Sequence, residues 1–109
     1  MKELYLIRHA KSSWGNSELK DFDRPLNHRG LVSAPEMGRR LSTKNLIPDA
    51  IFSSTAVRAM STAKLVRDQL GSHVKIVKEP NAYHASAFLL LQIVNSVSND
   101  LNSVFLVGH

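Results

Sequence analysis

Apolar positions along the chain switch between two periods. Leu4-Tyr5-Leu6-Ile7 is a short apolar run of the kind found in buried strands. Arg8 to Arg24 is polar, holds Gly15, Asn16 and two aspartates, and predicts a loop. From Asn27 to Asn45 the spacing is helical, with Leu31, Ala34, Met37, Gly38 and Leu41 recurring at threes and fours. Asn27 suits the N-cap of that helix. Pro35 argues for a later start, because proline removes a helix hydrogen bond outside the first turn. Pro48 ends the pattern, and Asp49 to Ser53 predicts a second strand. Ser54 or Thr55 then caps a second helix, which carries Ala59, Ala63, Val66 and Leu70 on one face and stops at Gly71. Val74-Lys75-Ile76-Val77 alternates with period two and predicts a third strand, near a sheet edge. Ser86 opens a third helix with Leu89, Leu90, Ile93 and Val97, and Ser103 to Val107 predicts a fourth strand.

Four strands separated by three helical segments imply an α/β domain, three-layered α/β/α, with a mostly parallel central sheet. There is no internal repeat and no low-complexity linker, so residues 1–109 read as one domain.

Composition removes several alternatives. The longest apolar stretch, Ala87 to Leu91, is far short of the run of about 18 residues that a spanning helix needs. The chain has no cysteine, which excludes disulfides, thiolate catalysis and cysteine-based metal centres. The segment from Met1 into the first apolar run lacks the long apolar region and small-residue cleavage site of a secretory leader. The expected compartment is therefore the cytoplasm, with no membrane partner. Net charge is +5 and the isoelectric point is near 9.9. The basic residues are dispersed, Arg39-Arg40 being the only adjacent pair, and the aromatics do not interleave with them. That pattern does not suit a nucleic-acid surface, whereas a small anionic substrate is compatible with it.

In open α/β sheets, ligands bind beyond the carboxyl ends of the strands. The first strand is followed by Arg8-His9, the second by Ser53-Ser54 with Arg58 about one turn further on, and the fourth by Gly108-His109. A lone histidine after a strand is usually a rim residue, and an arginine early in a helix is usually a surface charge. Three strand ends of four carrying Arg or His outweigh those readings. The fold would gather two arginines and two histidines at one rim. Such a site suits an oxyanion, above all a phosphoryl group, because guanidinium forks match phosphate oxygens and helix N-termini add positive charge. His28 and His73 read as surface residues.

These residues also resemble a family. Leu6-Ile7-Arg8-His9-Ala10-Lys11-Ser12 resembles the Arg-His signature of the histidine phosphatase superfamily. Asp23-Arg24-Pro25-Leu26-Asn27, followed by Arg29-Gly30, resembles its small bacterial branch, typified by the SixA phosphohistidine phosphatase. Ser53-Ser54-Thr55-Ala56-Val57-Arg58-Ala59 with Thr62-Ala63 resembles the second signature, and Val107-Gly108-His109 the third. The resemblance runs from Leu4 to His109 and implies a phosphoglycerate mutase-like fold.

It also implies roles. His9 would attack phosphorus and become a phosphohistidine. It must then be neutral, which neighbouring cations favour. Arg8, Arg58 and His109 would neutralise the phosphoryl oxygens, with Arg24 reaching the site or bracing it. No metal and no cofactor are required. For a proton donor the candidates are Glu79, His84 and Asp23. Glu79 reads equally well as a charge before a proline turn, and Asp23 as a partner of Arg24 or a turn cap. Lys11, Ser12, Ser13 and Trp14 would line the entrance. The implied activity is a metal-independent phosphatase acting on phosphohistidine in a partner protein and releasing inorganic phosphate. The alternatives are a small-molecule phosphomonoesterase of the same superfamily and a phosphate- or protein-binding module without turnover. Nothing calls for obligate oligomers, so a monomer is expected. The resembling family continues past the third motif with Asn-Pro, a helix and further strands. The 109 residues are thus expected to be an incomplete part, lacking the C-terminal portion, of a chain of roughly 150 to 170 residues.

Overall fold

The computed structural model describes residues 3–109. Met1 and Lys2, where the reading of an absent leader begins, lie outside the described residues. Four strands, β1 (Glu3–Arg8), β2 (Ala50–Ser53), β3 (Lys75–Lys78) and β4 (Ser103–Gly108), form one parallel sheet in the order β1-β4-β2-β3. Three helices, α1 (His28–Thr43), α2 (Val57–Leu70) and α3 (Ala87–Ser96), connect them. Short 3₁₀ turns occupy Asp21–Asp23 and Pro80–Ala82. The architecture is the expected three-layer α/β/α with a parallel sheet.

Period-two alternation divides the sheet between two cores. Ile7, Ile51, Phe105 and Val107 face α2, where they meet Ala59, Ala63, Val66 and Leu70. Leu106, with Leu4 and Phe52, faces the other way onto Ile93, Leu89 and Leu90. Among the described residues no helix is long and apolar enough to cross a membrane.

Asn27 caps α1 as expected, its side chain accepting from the Gly30 N–H. Several expectations need correction. Pro35 lies inside α1 and does not delay its start. The buried face of α1 is Gly30, Ala34 and Gly38, while Leu31 is 52% exposed. Small residues were selected because α1 packs closely on α2: a Cβ on Gly38 would lie 2.8 Å from the Val66 carbonyl oxygen. The cap of α2 is Ala56, not Ser54 or Thr55. The Ser54 hydroxyl instead accepts from the Ala56 N–H while bonding across the site. Gly71 does end α2, at φ 132°, where a side chain would be strained. Helix α3 stops at Ser96, leaving Val97 as its C-cap. β3 is an edge as expected, but so is β1, whose Leu6 is 66% exposed. β1 is therefore only half a buried strand.

Candidate active site

Register brings the strand ends together. Arg8 pairs with Gly108, and Ser53 with Val107. The next residues continue the ladder, with His9 N–H donating to the Gly108 carbonyl at 3.0 Å and Ser54 N–H to the Val107 carbonyl at 2.9 Å. His9 and His109 consequently stand side by side, their rings 5.1 Å apart.

The His9 ring is oriented from both sides. Its Nδ1 lies 2.7 Å from the Ala10 carbonyl oxygen. A carbonyl only accepts, so Nδ1 carries the proton and Nε2 keeps its lone pair. The Arg58 Nε–H donates to that Nε2 at 3.3 Å. Partial burial, then the charges of Arg58, Arg8 and Arg24, push the His9 pKa below its ordinary 6.5, against the opposing pull of the Ala10 carbonyl. The imidazole is thus neutral at pH 7 with Nε2 facing the cations. Thr62 braces the next residue, its hydroxyl accepting from Ala10 N–H at 3.0 Å and donating to the Arg58 carbonyl.

His109 is held by the Ser54 hydroxyl, 2.8 Å from its Nε2. Burial first, then the charges of Arg58, His9 and His84, lower its pKa to about 4. It too is neutral near pH 7 and can donate from one ring nitrogen only.

Arg58 is not the surface charge that its early helical position suggests: it is 2% exposed. Its guanidinium reaches across to the loop before α1. One terminal N–H donates to the Asp21 backbone carbonyl at 2.6 Å and the other to Asp21 Oδ2 at 3.0 Å. Asp21 is the hub of the site. Its Oδ2 also accepts from the Tyr83 hydroxyl at 2.6 Å and pairs with His84 Nε2 at 3.0 Å, while Oδ1 accepts from Arg24 at 3.1 Å. These hydrogen bonds, led by that of Tyr83, hold its carboxyl well below the usual carboxylate range. The Arg24 guanidinium also bonds the Ser12 hydroxyl and stacks on Trp14, 3.6 Å from the ring centroid. Arg8 stands at the mouth and lines the cavities on both flanks of the strand ends.

Of the proton-donor candidates, only His84 joins this cluster, its ring centroid 5.7 Å from that of His109. Glu79 turns away, accepting from the Asn81 N–H at the start of the 3₁₀ turn. The carboxylate paired with Arg24 is Asp21, not Asp23. Tyr83 lies in the segment Glu79 to Ser86, which resembles the Leu-Tyr segment of the small bacterial branch with Ala82 in place of Leu, whereas Asp21 lies in a loop without periodicity. The available signal was a carboxylate three residues before the motif arginine.

Among the described residues no group of His, Asp and Glu is arranged to hold a metal ion. The cations in place are guanidinium groups, and what they can hold is an oxyanion.

Comparison with known proteins decides the family. The sequence model of the histidine phosphatase superfamily (branch 1) matches residues 4–82. The chain belongs to this superfamily. Among solved structures, the SixA protein of Agrobacterium tumefaciens superposes with a TM-score of 0.88 and is 33% identical, over 97% of this chain and 68% of that one. An uncharacterized chloroplast protein of Arabidopsis thaliana is 31% identical over 99% of this chain and 54% of its own length. A 2,3-bisphosphoglycerate-dependent phosphoglycerate mutase of Bradyrhizobium is 40% identical, over 62% of this chain and 34% of that enzyme. The chain thus spans about half the length of the first curated relative and a third of the second.

Proposed function

We propose that the chain carries the phosphoryl-transfer site of a metal-independent phosphatase whose intermediate is a phosphohistidine on His9, and that its substrate is phosphohistidine in a partner protein. The observation that carries the reading is the state of His9: Nδ1 protonated against the Ala10 carbonyl, and Nε2 unprotonated beside Arg58. The Nε2 lone pair attacks phosphorus, and the bond from phosphorus to the leaving atom breaks. The leaving group departs with the electron pair and collects a proton. Water then attacks the phosphohistidine, the N–P bond breaks, and inorganic phosphate is released while His9 recovers its lone pair. Arg58 and Arg8 supply fixed positive charge for the phosphoryl oxygens, and neutral His109 adds one N–H.

The substrate class follows from the acids at hand. The carboxylate in the site, Asp21, is held ionised by Tyr83, Arg58, Arg24 and His84 and cannot donate a proton near pH 7. An alkoxide leaving group gains about 10²- to 10⁴-fold from a positioned acid. An imidazole that carries a proton on its other nitrogen leaves phosphorus as a neutral molecule and needs that help less. The site therefore favours a P–N bond over a P–O bond. The SixA likeness supports the same substrate class. A second reading, a small-molecule phosphomonoesterase, rests on His84. Bonded to Asp21 and near His109, it is placed to pass a proton to a leaving oxygen.

The test compares phosphate release from a phosphohistidine-bearing protein with release from several phosphomonoesters. Preferential turnover of the phosphohistidine is expected. Brisk turnover of the esters with none of the phosphohistidine would sink the first reading and favour the second.

A further inference from the structure

The strand ends open onto two cavities, one on either flank. One, of about 640 Å³, is lined by Leu6, Ala82, Leu90 and Leu106 together with Arg8, His84 and His109. The other, of about 440 Å³, lies against His9 and is lined by Arg8, Lys11, Trp14, Arg24, Asn27 and Arg29. It has four cationic side chains and no carboxylate in its wall. Among the described residues Arg8, Lys11 and Arg29 form no ion pair, and Arg24 shares its single carboxylate, Asp21, with Arg58. Of these four arginines and one lysine, Asp21 therefore pairs with two.

We propose that this cavity holds a second anionic group of the substrate, a carboxylate or phosphate next to the transferred phosphoryl, and that Lys11 and Arg29 select for it. The proposal rests on the reading of His9 as the phosphoryl-transfer centre.

The cavity is built by the backbone. The loop after His9 is laced to the segment entering α1: Asn27 N–H donates to the Lys11 carbonyl at 2.9 Å, and Ser13 N–H to the Pro25 carbonyl at 2.8 Å. An antiparallel bridge joins Ser12 to Leu26. Gly30 lets the helix start approach so closely that a Cβ there would lie 2.2 Å from the Lys11 carbonyl oxygen. Lys11 and Arg29 are thereby fixed on neighbouring stretches of backbone at the N-terminus of α1, whose dipole adds to their charge.

Arg24 points to an anionic ligand independently. It is 8% exposed, and its Nε is buried without any hydrogen-bond partner. Buried charged groups are ordinarily paired and satisfied. Here one carboxylate oxygen, the Ser12 hydroxyl and the face of Trp14 are the partners of the guanidinium, and Nε has none. An anion entering beside it restores the balance. A phosphoryl group alone does not need this arrangement, because Arg58 and Arg8 already meet it at the strand ends.

Binding is read without turnover, on the His9→Ala protein by calorimetry. The probes are glycerol 3-phosphate and 3-phosphoglycerate, which differ in one carboxylate. A second pair is a peptide bearing a non-hydrolysable phosphohistidine analogue, flanked either by Asp-Glu or by Asn-Gln. The more anionic member of a pair is expected to bind about tenfold tighter, the equivalent of one charge-assisted hydrogen bond. In Lys11→Gln/Arg29→Gln, two exposed positions where folding is not at stake, that preference should vanish, with glycerol 3-phosphate bound as before. Preference in the small pair places the second anion on a small ester; preference in the peptide pair places it on a neighbouring acidic side chain. Equal affinities within both pairs, or a preference that survives the double substitution, would overturn the proposal. If the chain selects anions here yet hydrolyses no phosphohistidine, the proposed function fails and this inference stands.

Discussion

Replacing Asp21 with asparagine removes the charge at the centre of the site while keeping one oxygen as an acceptor. The Arg58 side chain is 3% exposed, and removing the partner of a buried charge costs about 3–5 kcal/mol. Two features reduce this. The Asp21 carboxylate is 39% exposed, so water already screens the pair, and Arg58 keeps its bond to the Asp21 backbone carbonyl. A loss of about 1–2 kcal/mol remains. With a urea slope of about 1 kcal/mol per molar, the unfolding midpoint should fall by about 1–2 M. The effect carries a pH signature. Asp21 has a folded pKa held below that of the unfolded chain, near 3.9. Its contribution is present above that value and is lost as pH falls toward the folded pKa. The gap between Asp21→Asn and the parent should therefore be constant from pH 7 to 5 and shrink below about pH 4. Urea titrations followed by circular dichroism at pH 7, 5 and 3 measure both. A midpoint shift under about 0.2 M, or a gap that does not change down to pH 3, would refute the reasoning.

Gly30→Ala should destabilise the chain by about 2–4 kcal/mol, because the new methyl meets the Lys11 backbone carbonyl, which cannot move aside as a side chain can. A thermal melt unchanged from the parent would contradict that packing. In turnover, His9 must be neutral and its pKa lies below 6.5, so kcat/KM should be level through neutral pH and fall on the acid side as His9 is protonated. An acid limb centred above pH 6.5 would show that burial and the local cations do not lower it. His109, lowered to about 4, should add no second limb between pH 5 and 8.

The positions that sequence reading located are those fixed by topology. Arg8, His9 and His109 follow strands whose parallel register carries them to one rim, so strand order alone assembles them. Arg58 stands about one turn past the Ser53-Ser54 strand end, as the sequence shows, but its burial is not legible there: it is buried because it spans from the start of α2 to a loop carboxylate. The part of Asp21 is illegible in the sequence, and Tyr83 is marked there only by the family-like segment that holds it, not by its partner. Their 2.6 Å contact joins residues 62 apart in the chain, from two loops without hydrophobic periodicity, and no local pattern encodes such a pairing. The buried face of α1 was misjudged through Leu31 because reading periodicity favours large apolar groups. This helix instead uses Gly30, Ala34 and Gly38 to come close to its neighbours. At α2 a hydroxyl that looked like a cap was diverted, Ser54 being needed to hold His109.

The account stands or falls on covalent chemistry at His9. The direct measurement is to mix the protein with a phosphorus-labelled phosphohistidine substrate, denature it within milliseconds, and map the label. The account predicts label on His9 that is lost in acid and stable in alkali, and none on His9→Ala. Absence of protein-bound phosphate while inorganic phosphate is still released, or label on another residue, would contradict it.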